Sequence, residues 1–267
     1  MSKVILITGG SSGIGKSIGE FLHHKGFIVY GTSRNPEKTI NSVFPLVALD
    51  VRNVESIQTA VAKIIQISGR LDVVINNAGV GITGPLEEIP TSEIKNNFET
   101  NFFGPIEVMK AVLPQMRSQK AGLIINITSI AGYMGLPYRS VYSASKGALE
   151  LITEALRMEV KSLGIHIANV APGDFATNIA SGRFHAPLIP GSDYAVPYGN
   201  TLKMMDEHVD SGSNPNEMAE AVYKIIQTPN PKVHYKVGVF MQKFSIVLKR
   251  ILPDKVYEKM LMNHYKL

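Results

Sequence analysis

Short apolar runs alternate along this chain with longer stretches in which apolar residues recur every three or four positions. The apolar runs are rich in β-branched residues and predict strands at Val4–Thr8, Phe27–Ser33, Leu46–Asp50, Asp72–Asn76, Gly122–Thr128 and Ile165–Ala171. The stretches with helical spacing predict helices at Ile14–Lys25, Val54–Ile67, Thr91–Arg117 and Val141–Leu163. Strands that alternate with helices form a parallel sheet covered on both faces. We therefore predict a single α/β domain with a doubly wound parallel sheet.

The alternation lapses after Pro172 and Gly173. Residues 174–214 show no regular pattern, and segments of this length usually serve as a lid or a binding loop. A helix at Pro215–Gln227 and a strand at Val233–Met241 follow. Since no linker or internal repeat interrupts the chain, we expect one domain over residues 1–241, with a substrate lid at about 174–214. Residues 242–267 form an amphipathic basic tail.

The composition narrows the class of protein. Apolar residues make up 45% and charged residues 18% of the 267 positions, as in ordinary globular proteins. Cysteine is absent, which excludes disulfides and thiolate chemistry and favours a reducing compartment. The apolar runs are too short for a signal peptide or a membrane span. We therefore expect a cytoplasmic protein.

Much of the net charge of +5 lies in the tail. Between Lys243 and Leu267 the chain has six basic and two acidic residues, and no recognisable DNA or RNA motif accompanies them. We therefore predict no nucleic-acid partner. Apolar residues recur in the tail at helical spacing, so the tail either packs on protein or contacts an anionic membrane surface. The histidines lack the spacing of metal ligands, and no metal is predicted.

A glycine-rich turn, TGGSSGIG, follows the first strand and opens the first helix. Glycines let a pyrophosphate approach the backbone, and the helix N-terminus offers free N–H groups. The spacing departs from G-x-G-x-x-G, so a turn without a ligand is the alternative, but its position after the first strand favours a dinucleotide and a Rossmann-type fold. The predicted contacts are Gly9, Ser11, Ser12, Gly13, Ile14 and Gly15.

The second strand indicates which dinucleotide is bound. An acidic residue about 20 positions beyond the glycines would bind the ribose hydroxyls of NAD, but here the strand ends in Ser33 and Arg34. The fixed donor fork of an arginine can pair with a 2′-phosphate. We therefore predict NADP(H), with a solvated surface arginine as the alternative.

Tyr142 and Lys146 are one helical turn apart, so their functional groups can reach a common point. The pKa of free tyrosine is near 10, and lowering it to about 7 requires roughly 4 kcal/mol of stabilisation of the phenolate. An ammonium at about 4 Å, in an effective dielectric near 20, supplies energy of that order. The pair is therefore a candidate for proton exchange with a carbonyl oxygen, although an exposed contact is the alternative.

Two further polar residues fit this chemistry. Ser129 comes at the end of the strand that precedes the Tyr142 helix, where parallel sheets collect their ligands, and its hydroxyl can orient a substrate oxygen. Asn101 lies within the predicted long helix, where asparagine is unfavourable without a reason. A water between Asn101 and Lys146 for proton delivery would supply one.

Together, TGGSSGIG, NNAG at 76–79, NITSIAG at 126–132 and YSASK at 142–146 resemble the short-chain dehydrogenase/reductase family, over nearly all of the chain up to about Met241. The resemblance implies a catalytic tetrad of Asn101, Ser129, Tyr142 and Lys146. It also implies cofactor contacts, in addition to the turn residues, Ser33 and Arg34, from Asp50, Val51, Asn77, Ala78, Gly79, Tyr142, Lys146, Pro172, Gly173 and Thr177.

The segments GVGITGPLEE and MGLPYRSVYSASK are similar to the hydroxysteroid and retinol dehydrogenase branch of that family. This similarity implies a steroid, retinoid or lipid-like substrate, and apolar residues in the predicted lid agree with it. The family also forms homodimers and homotetramers through the helices equivalent to Thr91–Arg117 and Val141–Leu163. We expect an NADP(H)-dependent oxidoreductase that interconverts an alcohol and a carbonyl. A non-catalytic nucleotide-binding regulatory or scaffold protein of the same fold is the alternative.

Overall fold

The computed structural model describes residues 2–39, 41–175, 182–210 and 212–267, without the side chains of 206–210. Its strands, in chain order, are β1 (Val4–Ile7), β2 (Ile28–Ser33), β3 (Leu46–Ala48), β4 (Val73–Asn76), β5 (Ile82–Thr83), β6 (Gly122–Ile127), β7 (Ile165–Pro172), β8 (Phe184–His185) and β9 (His234–Val237). Its α-helices are α1 (Gly13–His24), α2 (Val54–Ser68), α3 (Thr91–Phe98), α4 (Gly104–Gln119), α5 (Ser140–Glu159), α6 (Ala195–Asp210), α7 (Pro215–Gln227), α8 (Phe240–Ile251) and α9 (Asp254–Tyr265).

The main sheet is parallel and has seven strands in the order β3-β2-β1-β4-β6-β7-β9. The chain enters at β1, runs outward to β3, and then returns to β4 on the other side of β1. At this reversal the connections after β1 and β4 diverge, which opens a crevice at the carboxyl ends of the strands. The predicted doubly wound α/β fold is confirmed.

The two faces of the sheet have separate cores because successive side chains on a strand point to opposite sides. Leu6 of β1 packs in the cluster that contains residues of α2 and α4, such as Ile57 and Val108. Its neighbour Ile7 belongs to the other cluster, together with Ile18 of α1. Strands buried on both faces explain why the strand sequences are almost continuously apolar.

The predicted helix Thr91–Arg117 contains a π-helical turn at Glu99–Phe103, between α3 and α4. Pro105 follows that turn and has no N–H to donate to the preceding turn of helix, which favours a local change in the hydrogen-bond pattern. Asn101, the residue that is unfavourable in a regular helix, lies in the centre of the π turn. Its side chain is fully buried.

Two secondary-structure predictions near the C-terminus are wrong. The strand predicted to reach Met241 ends at Val237, because Gly238 turns the chain with φ +125° and α8 begins at Phe240. The segment predicted to be irregular contains α6 and the short strand β8, which pairs in parallel with β5. Within the described ranges, no helix combines the length and the low polarity needed to cross a bilayer.

The glycine-rich turn packs tightly against β2. The N–H of Gly10 donates to the carbonyl oxygen of Thr32 at 2.9 Å. A Cβ at Gly10 would lie 2.8 Å from the Cα of Gly31, so neither backbone has room to accept a side chain. This contact sets the height of the turn above the sheet.

We expect Gly10→Ala to destabilise the protein by about 1–3 kcal/mol, because the added methyl group overpacks a buried backbone contact. Gly135→Ala is the matched control, since nothing lies within 4 Å of a Cβ at that position, and it should change stability by less than about 0.5 kcal/mol. Urea unfolding measures both. Equal midpoints for Gly10→Ala and the parent protein would show that the turn can shift freely.

Candidate active site

A cavity of about 570 Å³ opens at the carboxyl ends of β1, β2, β4 and β6. The sequence-predicted cofactor residues that line it are Gly9, Ser11, Ser12, Gly13, Ile14, Ser33, Arg34, Asp50, Val51, Asn77, Ala78, Gly79, Tyr142, Lys146 and Pro172. Gly15 does not line this cavity but packs beneath the turn, where a Cβ would collide with Asn77 and with the carbonyl of Gly9. Gly173 lines a smaller adjoining cavity, and Thr177 lies outside the described residues.

The floor of the large cavity is the N-terminus of α1, and its geometry fits a phosphate group. Gly9 and Gly13 have φ of +65° and +53°, a conformation that glycine adopts without strain. In the described structure, the Ser12 side chain makes no hydrogen bond that caps α1, and the first turn of the helix has no acidic residue. The uncapped N–H groups and the positive end of the helix dipole therefore face the cavity.

Thr8 and Asn77 fix the two loops that flank this floor. The Thr8 hydroxyl oxygen accepts hydrogen bonds from the N–H groups of Asn77 and Ala78, each at 3.0 Å. In return, the Asn77 side-chain amide donates to the carbonyls of Thr8 and Gly9 at 3.0 and 3.2 Å. The loops after β1 and β4 are thereby held at a fixed separation.

One end of the cavity is defined by Arg34, Asp50 and Arg52. Arg52 donates to the Asp50 carboxylate from its backbone N–H at 3.0 Å and from its guanidinium at 3.3 and 3.4 Å. Burial raises the pKa of Asp50, but these hydrogen bonds and the charges of Arg52 and Arg34 outweigh burial and hold the pKa below its ordinary value. The sequence prediction included Arg34 and Asp50 but missed Arg52, which nothing in a motif distinguishes.

Lys146 lies deeper, beneath the carboxyl end of β6. Its ammonium is buried and donates to the carbonyl oxygen of Ile127 at 2.9 Å. Burial lowers the pKa of Lys146 below its ordinary value, and the charges of Tyr142 and Glu150 oppose that shift. Because one α5 face presents Tyr142 and Lys146, both residues line the large cavity, as predicted from their spacing.

Tyr142 also lines the smaller cavity, which it shares with Ser129, Arg139 and Gly173. Ser129 is the second residue after the end of β6, and its hydroxyl oxygen accepts a hydrogen bond from the N–H of Ala131 at 3.1 Å. The Arg139 guanidinium lies 5.4 Å from the centre of the Tyr142 ring. Ser129 and Tyr142 therefore both line the smaller cavity, and Tyr142 lies at the boundary between the smaller and the large cavity.

Asn101 is adjacent to this group but does not line the large cavity. Its side-chain oxygen accepts from the N–H of Val80 and its amide donates to the carbonyl of Val80, both at 2.9 Å. A Cβ at Gly79 would lie 3.2 Å from the Asn101 oxygen and 3.4 Å from the Lys146 ammonium nitrogen. Asn101 and Lys146 thus flank the same glycine, and a Cβ there would be in tight contact with both side chains.

Glu150, which was not predicted from the sequence, lies one further turn along the face of α5 that carries Tyr142 and Lys146. Its buried carboxylate accepts hydrogen bonds from the hydroxyls of Thr128 and Tyr133. It also contacts Asn169 and His234, each at 2.8 Å. Thr128 and Tyr133 flank Ser129 in sequence, and we call residues 128–133 the serine loop. Glu150 therefore holds both ends of this loop. The repeated i, i+4 spacing was the signal that could have identified it.

The C-terminal tail also contacts the site, which the sequence did not predict. Gln242 of α8 accepts a hydrogen bond from the N–H of Asp174 at 3.1 Å and donates one to its carboxylate at 2.6 Å. Its side chain leaves no room for a Cβ at Gly173. In α9, burial raises the pKa of Tyr265, and the nearby positive charge of Arg139 opposes that shift. Helix α8 therefore contacts residues that line the smaller cavity, and α9 places Tyr265 near Arg139, which also lines it.

Comparisons with known proteins identify the family to which this arrangement belongs. A family model described as short chain dehydrogenase matches residues 3–187. The chain is 43% identical over 264 residues, covering 98% of both sequences, to a 3-ketodihydrosphingosine reductase of Bacteroides thetaiotaomicron. The chain belongs to the short-chain dehydrogenase family. Members of this family are oxidoreductases that use a nicotinamide cofactor.

Two solved structures share the fold. A short-chain dehydrogenase from Streptomyces avermitilis is 30% identical, with a TM-score of 0.83 over 99% of this chain and 97% of that one. The structure described as ElxO with NADP bound is 28% identical, with a TM-score of 0.71 over 89% of this chain and 97% of that one. The family resemblance inferred from the sequence is confirmed.

We expect Arg52→Ala to raise the pKa of Asp50 toward its ordinary value, because the variant lacks the guanidinium hydrogen bonds and one nearby positive charge. A depressed pKa means that the carboxylate stabilises the fold above pH 3.8, and that this stabilisation is lost as pH falls through the folded-state pKa. The variant should therefore show a weaker pH dependence of unfolding in acid. Carbon NMR titration of Asp50 and urea unfolding at several pH values measure these effects.

Arg70→Ala is the control for Asp50. Arg70 pairs with Asp72 just before the amino end of β4, whereas Asp50 lies beyond the carboxyl end of β3, so the loss of Arg70 should leave the titration of Asp50 unchanged. An unaltered Asp50 titration in Arg52→Ala would contradict the assigned cause.

Proposed function

We propose that the protein is an NADP(H)-dependent oxidoreductase that reduces the ketone of a hydrophobic, long-chain substrate. The observation that carries the proposal is that Tyr142 lines two adjoining cavities. One extends over the N-terminus of α1 and has the features of a dinucleotide site. The other contains Ser129. A substrate carbonyl at Tyr142 would therefore meet a cofactor on one side and a serine hydroxyl on the other.

In this proposal each side chain has a separate role at the carbonyl oxygen of the substrate. The Ser129 hydroxyl donates a hydrogen bond that orients the oxygen, and the Tyr142 hydroxyl donates the proton. The Lys146 ammonium stabilises the phenolate that remains, because it is buried near the phenol, where solvent screens charge weakly. Water beside Gly79, between Asn101 and Lys146, is the proposed route by which the proton is replaced. A bound reduced nicotinamide supplies hydride to the carbonyl carbon.

The preference for NADP(H) rests on charge at the far end of the large cavity. Arg34 is exposed there, and Arg52 lies nearby through its pairing with Asp50. Two guanidinium groups with one carboxylate leave net positive charge where an adenosine 2′-phosphate would lie. Guanidinium groups bind phosphate through two donors at once. The NADP-bound relative supports this preference.

The substrate class rests on apolar surface and on one relative. Tyr142 belongs to an apolar cluster with Ile82, Ala186 and the fully buried Tyr198, in which Tyr198 comes from α6 of the predicted lid. The relative that is 43% identical over 98% of this chain is named a 3-ketodihydrosphingosine reductase, and that name denotes a long-chain lipid ketone. We propose a ketone of this class, in preference to a steroid or retinoid.

We also propose that the chain forms a homodimer or homotetramer through α4 and α5. Leu151 and Met158 of α5 are exposed, as is Phe103 just before α4. These are the helices that the family resemblance implicates, and covering such side chains is favourable.

A panel of long-chain keto-lipids, steroid ketones and retinals, assayed by the loss of NADPH absorbance, tests the proposed activity. We expect turnover with a 3-keto long-chain amine and little with steroids or retinoids. Turnover with steroids or retinals alone would refute the proposed substrate class. If no carbonyl compound in the panel is turned over while NADPH binds, the non-catalytic alternative is favoured.

We expect NADPH to bind at least tenfold more tightly than NADH, a difference of about 1.4 kcal/mol, and Arg34→Ala to remove most of that difference. The control Arg117→Ala changes an exposed arginine of α4 and should preserve it. Fluorescence titration with both cofactors measures the affinities. Equal affinities in the parent protein would overturn the assignment.

We expect Tyr142→Phe to lower kcat by roughly 10²–10⁴-fold, the usual contribution of a general acid, and to leave the affinity for NADPH nearly unchanged. Tyr223→Phe on α7 is the matched control and should retain full activity. Steady-state kinetics and cofactor titration distinguish the two effects. A fully active Tyr142→Phe variant would disprove the proton-transfer role.

A further inference from the structure

Helix α8 presents an apolar row to solvent. Phe240, Phe244, Val247 and Ile251, which we call the α8 stripe, recur at intervals of four, three and four residues and thus share one helical face. All four are exposed, Phe240 to 70% and Ile251 to 67%. The Phe240 and Phe244 rings stack with their centroids 5.5 Å apart. The stripe is therefore a continuous apolar ridge.

Exposed apolar side chains are concentrated in this part of the molecule. Among the described residues, nine of the twenty exposed large apolar side chains lie between Val239 and Leu267. Single exposed apolar residues are ordinary, but a contiguous group marks an interaction surface. Met241 and Val239 adjoin the stripe and extend it at the start of α8.

The opposite face of α8 is fixed to the protein. Ile246 is buried in a cluster with Ile130, which lies within the serine loop, and Met134, which directly follows that loop. Gln242 holds Asp174 through two hydrogen bonds. Since these inward contacts set the rotation of the helix, the α8 stripe faces away from the domain core.

The charged residues beside the α8 stripe indicate which kind of partner it binds. Lys243 and Arg250 are seven residues apart and form a basic row along one edge of the stripe. Exposed lysines of α9, Lys255 and Lys259, add to the positive charge. A second copy docked on the same face would bring these basic residues close to their own duplicates, which is unfavourable. An apolar ridge beside basic side chains instead matches an anionic lipid surface, where rings and aliphatic groups enter the acyl boundary and cations meet the headgroups.

We propose that the α8 stripe docks the protein on the surface of an anionic phospholipid bilayer. Docking through this face leaves the inward face of α8, with Gln242 against Gly173 and Asp174, directly beside the smaller cavity. This arrangement places the entrance for a long-chain ketone near the lipid from which such a substrate partitions. The docking itself rests only on the α8 stripe and its charges, whereas the benefit to substrate delivery also rests on the proposed function.

Flotation of the full-length protein with vesicles tests the docking. We expect binding to vesicles made of equal parts phosphatidylcholine and phosphatidylglycerol, weak binding to phosphatidylcholine alone, and loss of binding at high salt. Phe240→Ser combined with Phe244→Ser should weaken binding at least tenfold, and so should Lys243→Glu combined with Arg250→Glu. The matched control, Ile67→Ser with Lys63→Glu, changes an exposed apolar and an exposed basic residue of α2 and should bind like the parent.

The outcomes separate docking from catalysis. Both double variants, at Phe240 and Phe244 and at Lys243 and Arg250, are called the stripe variants here. They should reduce a short, water-soluble ketone at the parent rate, yet reduce a vesicle-borne long-chain ketone more slowly. Vesicle binding without any ketone reduction would refute the proposed function and leave docking intact. Docking is refuted if the parent fails to bind the anionic vesicles or if the stripe variants bind as well as the parent. It is also refuted if sedimentation shows that the stripe variants only dissociate an oligomer, because a second copy then covers the stripe.

Discussion

The arrangement of this protein depends on keeping an ammonium group, that of Lys146, inside the fold. Burying a cation is expensive unless acceptors and opposite charges surround it. Here the Ile127 carbonyl accepts one hydrogen bond, and the charges of Tyr142 and Glu150 favour the protonated form against the effect of burial. The carboxyl end of β6 and one face of α5 must therefore stay in register. Other features of the site, from the serine loop to the cavity boundary at Tyr142, follow from that register.

Glu150 extends the same constraint one turn further along the same face of α5. Its carboxylate is buried, and burial together with the Glu150 charge raises the pKa of Tyr133, so the Tyr133 hydroxyl stays protonated and donates to Glu150. One helical face thus carries a phenol, an ammonium and a carboxylate in succession. The buried charges offset one another, while the carboxylate also fixes the loop that carries Ser129.

Much of the fold and of the site could be predicted because the signals were local. The i, i+4 spacing of Tyr142 and Lys146 needed only helical geometry, and the position of Ser129 needed only the end of a strand. The π turn around Asn101 was detectable only as an asparagine out of place, since its cause involves hydrogen bonds that a periodic pattern does not encode. Gln242 could not be found, because it meets Asp174 across 68 residues of sequence and no local pattern records such a contact. Helix α6 was not predicted because apolar and polar residues are mixed along it, so its apolar residues show only a weak helical periodicity.

The contact between Gln242 and the Gly173–Asp174 segment connects the tail to the wall of the smaller cavity. By thermodynamic reciprocity, whatever steadies one partner steadies the other to the same extent in free energy. Anything that binds α8 in one arrangement, such as an attached fusion partner or an antibody against the tail, therefore also biases the arrangement of the Gly173–Asp174 wall.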